Sequence, residues 1–415
     1  MSTPATPTLP KVGSRYIGLM VLAQFGVFLA FITPVGITLS IRVSELAPGR
    51  EEYLGYITGV GGLVPLVAGP LLGALSDRNR TRFGRRRPFI FGGMLLGVVS
   101  LLVMALAPNI PVLGLGWVLA QFGWGQAFGN LLTSQADRLP EEQRGKVAGL
   151  GGFATLVAPV VGVVMAGGLA GDALLLFLVP GAVGVVTIVL FVWLVDEADS
   201  RDLSAAEPLT PSSLLAMYTW PVRKYRDFSL NWAGRFAFYF GLTLNTTFTA
   251  FFFASRLGVK VEEVAGTLAA VAGLGVLATA AGAMGGGFLS DRLRRRRVFV
   301  LAAGAVYALG TVIMAVSSSV PPLFTGSIIC SVGLGMFSAV DQALALDVLP
   351  ERETNAGRYL GVFGFATSIP QSAAPFIAPV FLTVGAEKNY TLLYLVAAAC
   401  TLLGGLVILP IKSVR

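Results

Sequence analysis

Apolar stretches of about 20 residues recur from one end of this chain to the other, and this recurrence limits the possible folds more than any other feature. A helix of that length crosses the hydrocarbon core of a bilayer. The 415 residues are 55% hydrophobic and only 13% charged, so no soluble core could bury their apolar surface. We predict twelve spans, near residues 16–41, 53–76, 88–107, 111–134, 146–168, 172–195, 229–255, 264–289, 298–316, 321–346, 356–384 and 389–410.

Backbone chemistry favours helices for these spans. In lipid every N–H and C=O group needs a partner within the protein, so a span is a helix or a strand of a closed barrel. Barrel strands alternate apolar and polar residues, and the stretches here do not alternate. The predicted fold class is therefore an all-α integral membrane bundle of twelve transmembrane helices.

The distribution of basic residues predicts the orientation in the membrane. The 30 lysines and arginines exceed the 22 acidic residues and give a net charge of +8. Most of the basic residues fall in the termini and the even-numbered loops, which the positive-inside rule places in the cytoplasm. We expect a multi-pass protein of a bacterial inner (plasma) membrane with both termini cytoplasmic. Nothing in the sequence resembles a nucleic-acid module, so we expect no nucleic-acid partner.

Two segments of the chain repeat one pattern. The copies are Gly73-Ala-Leu75-Ser76-Asp77-Arg78 and Gly287-Phe-Leu289-Ser290-Asp291-Arg292, each followed by a cluster of arginines. Farther along, Asp137 and Asp347 open a second repeated pattern, 210 residues apart. This repetition predicts an N-terminal six-helix bundle over 1–195, a cytoplasmic linker over 196–228 and a C-terminal six-helix bundle over 229–415.

These motifs resemble those of the major facilitator superfamily over nearly the whole chain. The loop Ser76-Asp77-Arg78…Arg82-Phe83-Gly84-Arg85-Arg86-Arg87-Pro88 is similar to that of sucrose transporters and their relatives in the glycoside–pentoside–hexuronide cation symporter branch. Val340-Asp341-Gln342-Ala343 also looks like bacterial members of that branch. The resemblance implies two pseudo-symmetric bundles, alternating access and proton-coupled symport of a small organic solute, with a sugar or glycoside first. We expect the protein to function as a monomer.

The resemblance also implies a gate on the cytoplasmic side. Gly73 and Gly287 would let helices approach closely, and Asp77 and Asp291 would meet the positive N-terminus of a neighbouring helix. Asp137 and Asp347 would pair with the arginines in each half. The complete predicted gate consists of Gly73, Asp77, Arg78, Arg82, Asp137, Gly287, Asp291, Arg292 and Asp347. The alternative is that the arginines only set the topology.

One charged pair lies within the predicted spans. Arg235 is about six residues into span seven, and Asp341 lies six residues before Asp347 in span ten. Ionisable groups in a membrane usually face the bundle interior and pair with each other. We predict that Arg235 and Asp341 are neighbours, directly or through Gln342. The pair could couple proton uptake at Asp341 to transport, could grip the solute, or could be a static brace.

Polar and aromatic residues on the spans are candidates for solute binding. A sugar site needs flat aromatic rings and side chains that hydrogen-bond several hydroxyl groups. The candidates are Gln24, Gln121, Trp124, Arg235, Tyr239 and Gln371. The alternative for each is ordinary packing or hydrogen bonding between helices.

Several kinds of chemistry lack support in the sequence. The chain has no histidine, and its two cysteines, Cys330 and Cys400, fall in apolar spans, so we expect neither a metal site nor a disulfide. No nucleotide-binding motif is present, so we expect secondary rather than ATP-driven transport. Without histidine no Ser-His-Asp or Cys-His set is possible, so we expect no enzyme activity and no cofactor, and the resemblance implies a proton as the coupling ion. A drug or metabolite exporter working by proton antiport stays open, favoured by the phenylalanines of span seven. A non-transporting membrane receptor is the third possibility.

Overall fold

The computed structural model describes residues 10–197, 199–201, 219–351, 356–385 and 388–413. Their regular secondary structure is entirely helical, which confirms the predicted fold class. The α-helices are α1 Ser14–Thr33, α2 Leu39–Leu46, α3 Glu52–Arg78, α4 Arg87–Ala105, α5 Ile110–Arg138, α6 Glu141–Leu169, α7 Ala173–Leu194, α8 Arg226–Thr247, α9 Thr249–Leu257, α10 Ala265–Leu293, α11 Arg296–Val316, α12 Val320–Asp347, α13 Ala356–Leu382 and α14 Tyr390–Ile408. A π-helix, Pro34–Thr38, joins α1 to α2, and a 3₁₀-helix, Val261–Val264, precedes α10.

Each of the twelve predicted spans corresponds to a helix or to a broken helix. In the described part of the chain, nine helical segments are long and apolar enough to cross a membrane, or eleven if each of two bent pairs counts as one span. The fourth predicted span corresponds to α5, whose 29 residues extend about 43 Å at 1.5 Å per residue.

Spans one and seven depart from regular α-helix. Span one contains the π-helix that begins at Pro34, which has no N–H to donate to the preceding turn. Span seven bends by 51° between α8 and α9. At this bend Thr247 Oγ1 donates to Thr243 O at 2.7 Å, and Thr249 Oγ1 donates to Asn245 O at 3.0 Å. Such bonds from threonine to the preceding turn compete with the helix ladder and favour a bend.

The contacts divide the chain into two compact units. The first contains the described residues within Met1–Thr38 and Val67–Glu207, and the second contains those within Leu39–Leu66 and Pro208–Arg415. The unit boundary therefore runs through the first two spans as well as through the predicted linker, of which 198 and 202–218 lie outside the described residues. The predicted two-bundle organisation stays a prediction.

The repeat seen in the sequence is also visible in helix packing within each unit. In the first unit, α4 and α5 meet so closely that a Cβ at Gly123 would lie 2.3 Å from the backbone nitrogen of Gly97. In the second unit, α11 and α12 meet at the residues 210 positions later, where a Cβ at Gly333 would lie 2.7 Å from the backbone nitrogen of Tyr307. Helices in a membrane associate by such close contacts of small residues.

The second unit includes the first half of α3, which packs on α13. A Cβ at Gly55 would lie 2.3 Å from the carbonyl oxygen of Pro375, so the two backbones touch there. One turn farther along, Ser372 Oγ donates a 2.9 Å hydrogen bond to the carbonyl oxygen of Gly59. Close backbone contact and an interhelical hydrogen bond thus join α3 to α13.

Candidate functional site

The ion pair predicted between spans seven and ten is present in the second unit. Arg235 Nη1 on α8 lies 2.6 Å from Asp341 Oδ2 on α12. The carboxylate side chain is 0% exposed and the guanidinium side chain 15% exposed. The contact is direct and does not use Gln342. Burial removes water from both charges, so each depends on the other for compensation.

Arg235 also contacts a third helix. Its Nε donates a 2.9 Å hydrogen bond to Thr367 Oγ1 on α13. Its guanidinium carbon lies 4.5 Å from the ring centroid of Phe363 on the same helix and 5.1 Å from that of Tyr239 on α8. Both distances are within the range of a cation–π interaction. Arg235 therefore connects α8, α12 and α13, and a change in its charge balance would act on all three helices.

Polar atoms near this pair are buried without partners. Among the described residues, no group forms a hydrogen bond with Asp341 Oδ1. Asn231, one helical turn before Arg235, is fully buried, and neither its amide nitrogen nor its amide oxygen has a described partner. Each such atom costs about 1–3 kcal/mol. A proton, a water molecule or a solute hydroxyl could satisfy them. Sequence analysis missed Asn231, although its spacing of four residues from Arg235 was a usable signal.

The other predicted solute-binding residues of the second unit lie in different environments. Tyr239 is half-buried beside Arg235, so the structure brings these two candidates together. Gln371 on α13 is exposed. Both residues stay candidates.

Two of the three candidates of the first unit, Trp124 and Gln24, contact neighbouring helices. Trp124 is fully buried, and its ring lies against α4, since a Cβ at Gly97 would be 2.6 Å from Trp124 Cε2. The ring is packed between helices in the present conformation, and a solute contact of Trp124 stays a prediction. Gln24 is buried and donates a 2.6 Å hydrogen bond to Gln135 on α5. Gln121 is half-buried and stays a candidate.

The first copy of the loop motif forms a charge network around Arg86. Arg86, whose side chain is 4% exposed, lies 2.5 Å from Asp77 Oδ1 and 3.1 Å from Asp137 Oδ2. It also donates a 2.8 Å hydrogen bond to Ser76 Oγ. Asp137 accepts a second contact, from Arg85 at 2.9 Å. The structure therefore confirms that Asp137 pairs with arginines of this loop.

The second copy forms the corresponding pairs with more exposed side chains. Arg296 lies 3.3 Å from Asp291 Oδ1 and 2.7 Å from Asp347 Oδ2. Asp347 therefore pairs with an arginine, as predicted. The side chains of Arg296, Asp347 and Asp291 are 24%, 36% and 67% exposed. The charged side chains of the motif are thus less exposed in the first unit than in the second, most clearly at the central arginine.

Two expectations for this motif stay predictions, because the described contacts of this conformation do not include them. The carboxylate at the N-terminus of α4 belongs to Glu197 and not to Asp77. Glu197 accepts hydrogen bonds from the backbone N–H groups of Arg86 and Arg87 at 3.1 and 2.9 Å. The two motif glycines do not mark close helix approaches. A Cβ at Gly73 would meet no described atom within 4 Å, and one at Gly287 would meet only Ala339 at 3.8 Å.

The remaining predicted gate residues make local contacts. Arg78 donates to the carbonyl oxygen of Ala74 in its own helix, and the guanidinium of Arg82 lies over the ring of Phe83. Arg292 is exposed. The central arginines, Arg86 and Arg296, belong to the clusters that the sequence showed but were not singled out there. Their signal was the spacing of 210 residues between them, which equals that between Asp137 and Asp347.

A third charge cluster joins the start of α3 to the start of α14, and sequence analysis missed it. Lys388 Nζ lies 2.5 Å from Glu52 Oε2, and Arg50 Nε lies 2.6 Å from Glu52 Oε1. The hydroxyl of Tyr390 donates a hydrogen bond to the carboxylate of Glu51. Burial raises the pKa of Glu51 above its ordinary value. The cluster lies in odd-numbered loops, whereas the arginine-rich motifs lie in even-numbered ones.

An all-helical membrane fold in which a charged loop motif recurs at matching helix ends is the architecture of a multi-pass transporter. The model of the Major Facilitator Superfamily matches residues 16–375 and 232–414. The chain therefore belongs to the major facilitator superfamily, whose members are transporters of small solutes.

Relatives of similar sequence match limited parts of the chain, and each match spans less than a third of the relative's own length. It is 34% identical over 109 residues to the general alpha-glucoside permease of Schizosaccharomyces pombe, a match that covers 26% of this chain and 19% of the permease. It is 43% identical over 69 residues to solute carrier family 45 member 3 of Mus musculus, covering 17% and 11% of the two chains. An uncharacterized transporter of Bacillus subtilis, YhcA, is 28% identical over 163 residues, covering 38% and 29%.

Solved structures share the fold over almost the whole chain. A bacterial homologue of the human lysosomal transporter Spinster has a TM-score of 0.72 at 18% identity and covers 97% of this chain and 99% of its own. The nucleoside transporter NupG has a TM-score of 0.73 at 11% identity and covers 95% and 98%. At these identities the similarity concerns the fold alone.

Proposed function

We propose that this protein is a secondary active transporter that moves a small organic solute, a sugar or glycoside in the first place, by proton-coupled symport through alternating access. The glucoside permease and the resemblance of the loop motif to sucrose transporters support the solute class. The single observation that carries the coupling mechanism is the buried Arg235–Asp341 pair with one unsatisfied carboxylate oxygen.

The pair offers a simple coupling step. A proton that binds Asp341 Oδ1 neutralises the carboxylate and converts a bare acceptor into a hydroxyl group. The ion pair with Arg235 then loses its charge attraction, while Arg235 keeps Thr367 and the two aromatic rings on α8 and α13. Because buried charges are costly when unpaired, protonation changes the balance among the three helices. This links a proton to a rearrangement of α8, α12 and α13.

The solute would bind next to the same arginine. The guanidinium of Arg235 is a donor for hydroxyl oxygens, and the half-buried Tyr239 offers a flat ring with a hydroxyl group. Exposed Gln371 on α13 could add an amide that both donates and accepts. Solute and proton would then act on the same three helices, which symport requires.

The charge distribution supports an orientation for the cycle. We infer that the Arg86 and Arg296 networks face the cytoplasm, together with both termini, in a bacterial inner membrane. In that orientation the networks act as the cytoplasmic gate, and the Glu52–Lys388 cluster lies on the opposite side. The partners in this proposal are one solute, a proton and the bilayer, with the protein working as a monomer.

Proton-coupled export of an apolar compound is the second candidate function. It is favoured by an aromatic row on α8, where the ring centroids of Trp232 and Phe236 are 5.4 Å apart and those of Phe236 and Phe240 are 6.1 Å apart. All three rings are half-buried, so a flat apolar molecule could reach them. In this case Asp341 would exchange a proton for the exported compound.

Thermal unfolding of the detergent-purified protein against a ligand panel distinguishes the two candidates. A ligand that binds the folded protein raises its apparent stability by mass action. The panel contains mono- and disaccharides and apolar drugs at two pH values, with the variant Tyr239→Phe and the control Tyr56→Phe, an exposed tyrosine of α3. We expect stabilisation by a saccharide that weakens in Tyr239→Phe and persists in the control. Stabilisation by apolar drugs alone would contradict sugar symport and support export.

A further inference from the structure

The serine of the loop motif has hydrogen-bond partners in the first copy and none described in the second. In the first copy, Ser76 Oγ donates a 2.5 Å hydrogen bond to Asn130 Oδ1 and accepts one from Arg86. In the second copy, the matching Ser290 is 2% exposed, and its Oγ has no described partner. The residue 210 positions after Asn130 is Val340, whose side chain has no acceptor. Ser290 is therefore a buried donor whose acceptor is missing.

A cavity lies beside the second copy of the motif. Its volume is about 970 Å³, and its wall contains Ser290, Arg294, Arg295 and Arg296. The wall also contains Asp291 and Asp347, but Arg296 pairs with both. No described carboxylate lies within 4 Å of the guanidinium of Arg294 or Arg295. Two uncompensated arginines thus line this cavity beside the unpartnered serine.

We propose that this cavity at the ends of α10 and α12 binds a phosphate group through Arg294, Arg295 and Ser290. Guanidinium groups bind phosphate oxygens in pairs and prefer them to less charged acceptors. A phosphate oxygen would also supply the acceptor that Ser290 lacks and that Asn130 supplies to Ser76 in the first unit. The phosphate belongs to the headgroup of an anionic phospholipid or to a soluble phosphate compound, since the cavity lies at the cytoplasmic end of these spans.

This site is separate from the solute site of the proposed function. None of its residues contacts Arg235 or Asp341 in the described structure. In the proposed function, Asp347 and Arg296, which pair at 2.7 Å, belong to the cytoplasmic gate of the second unit. A bound phosphate would therefore place a fixed negative charge next to the gate without occupying the transport path.

The test measures binding of two probes to the full chain in detergent. Equilibrium binding of radiolabelled inorganic phosphate tests the soluble source. Native mass spectrometry with dioleoyl phosphatidylglycerol, against dioleoyl phosphatidylcholine as the neutral lipid, tests the lipid source. The variants are the double substitution Arg294→Gln with Arg295→Gln, and Ser290→Ala. The control, Arg223→Gln with Lys260→Gln, removes two exposed positive charges of the same unit that do not line the cavity.

We expect the double arginine variant to bind at least about tenfold more weakly, and Ser290→Ala about fivefold more weakly, than the control. Ser290→Ala breaks no described hydrogen bond in the unliganded protein, so its effect reports the ligand even if the arginine variant folds poorly. Binding of inorganic phosphate would support a soluble ligand, and selective binding of phosphatidylglycerol a lipid headgroup. Absence of binding by both probes, or equal binding by Ser290→Ala and the control, would overturn the proposal.

Discussion

Removing Arg235 alone should destabilise the protein more than removing Arg235 and Asp341 together. Asp341 is 0% exposed, and Arg235 is its only described hydrogen-bond partner. Arg235→Gln therefore leaves a buried carboxylate without compensation, which costs about 3–5 kcal/mol. Asp341→Asn leaves an arginine that is 15% exposed and keeps Thr367, so we expect a cost of about 1–3 kcal/mol.

The double variant contains two neutral amides in place of two charges. It has no buried charge to compensate, so we expect a loss of about 1–2 kcal/mol and a coupling energy of at least about 2 kcal/mol between the two positions. Unfolding by sodium dodecyl sulfate in mixed micelles, followed by tryptophan fluorescence, measures the four free energies. The exposed Asp196→Asn serves as the control for loss of a charge. Single effects that add to the double effect within about 0.5 kcal/mol would refute the reasoning.

Three further predictions concern the charge clusters and the contact between α3 and α13. Arg86→Met should lower the free energy of unfolding by about 2–3 kcal/mol, since Arg86 is 4% exposed and bonded to three side chains. Arg296→Met, in the more exposed copy, should lower it by about 1 kcal/mol or less. Equal losses in an unfolding titration would contradict the difference between the copies. Glu51 has a pKa raised by burial above its ordinary 4.5, so its charged form is disfavoured in the folded protein and stability should fall as the pH rises above about 4.5 towards the raised pKa. Glu51→Gln, which can still accept the tyrosine hydrogen bond, should flatten that part of the melting-temperature profile, and an unchanged profile would count against burial as the cause. Gly55→Ala should destabilise by about 1–3 kcal/mol because its Cβ would lie 2.3 Å from a carbonyl oxygen, whereas Gly73→Ala in the same helix should be neutral or slightly stabilising; the reverse order in a thermal melt would contradict the described packing.

The helices and the buried ion pair could be predicted because each follows from the cost of polar groups in lipid. Apolar length alone indicated the spans, and two isolated charges at similar depth indicated Arg235 and Asp341. The pairing of Asp137 and Asp347 with arginines followed from the repeat. In these cases the sequence pattern that indicates a charged residue also indicates the residue it pairs with.

The roles of individual side chains depended on neighbours that the sequence does not reveal. Trp124 shares a helical stripe with other polar and aromatic residues, but Gly97 on α4 makes room for its ring and buries it. The bend in span seven occurs where the hydroxyl groups of Thr247 and Thr249 hydrogen-bond to backbone carbonyls of the preceding turn. The sequence does not reveal whether such a hydroxyl bonds to the backbone or to another partner. The cluster of Glu52 and Lys388 joins residues that are 336 positions apart and lack a repeat to connect them.

Proton-driven uptake in proteoliposomes tests the central claim, that Asp341 couples a proton to transport, most directly. Uptake of the solute identified by thermal unfolding is measured with and without an inward proton gradient. The proteins compared are the unmodified chain, Asp341→Asn and the control Asp196→Asn. Exchange of internal for external solute is measured in parallel, since it requires the moving helices but no net proton transfer. We predict that Asp341→Asn keeps exchange and loses gradient-driven accumulation, while the control keeps both. Accumulation at the unmodified level in Asp341→Asn would contradict the account.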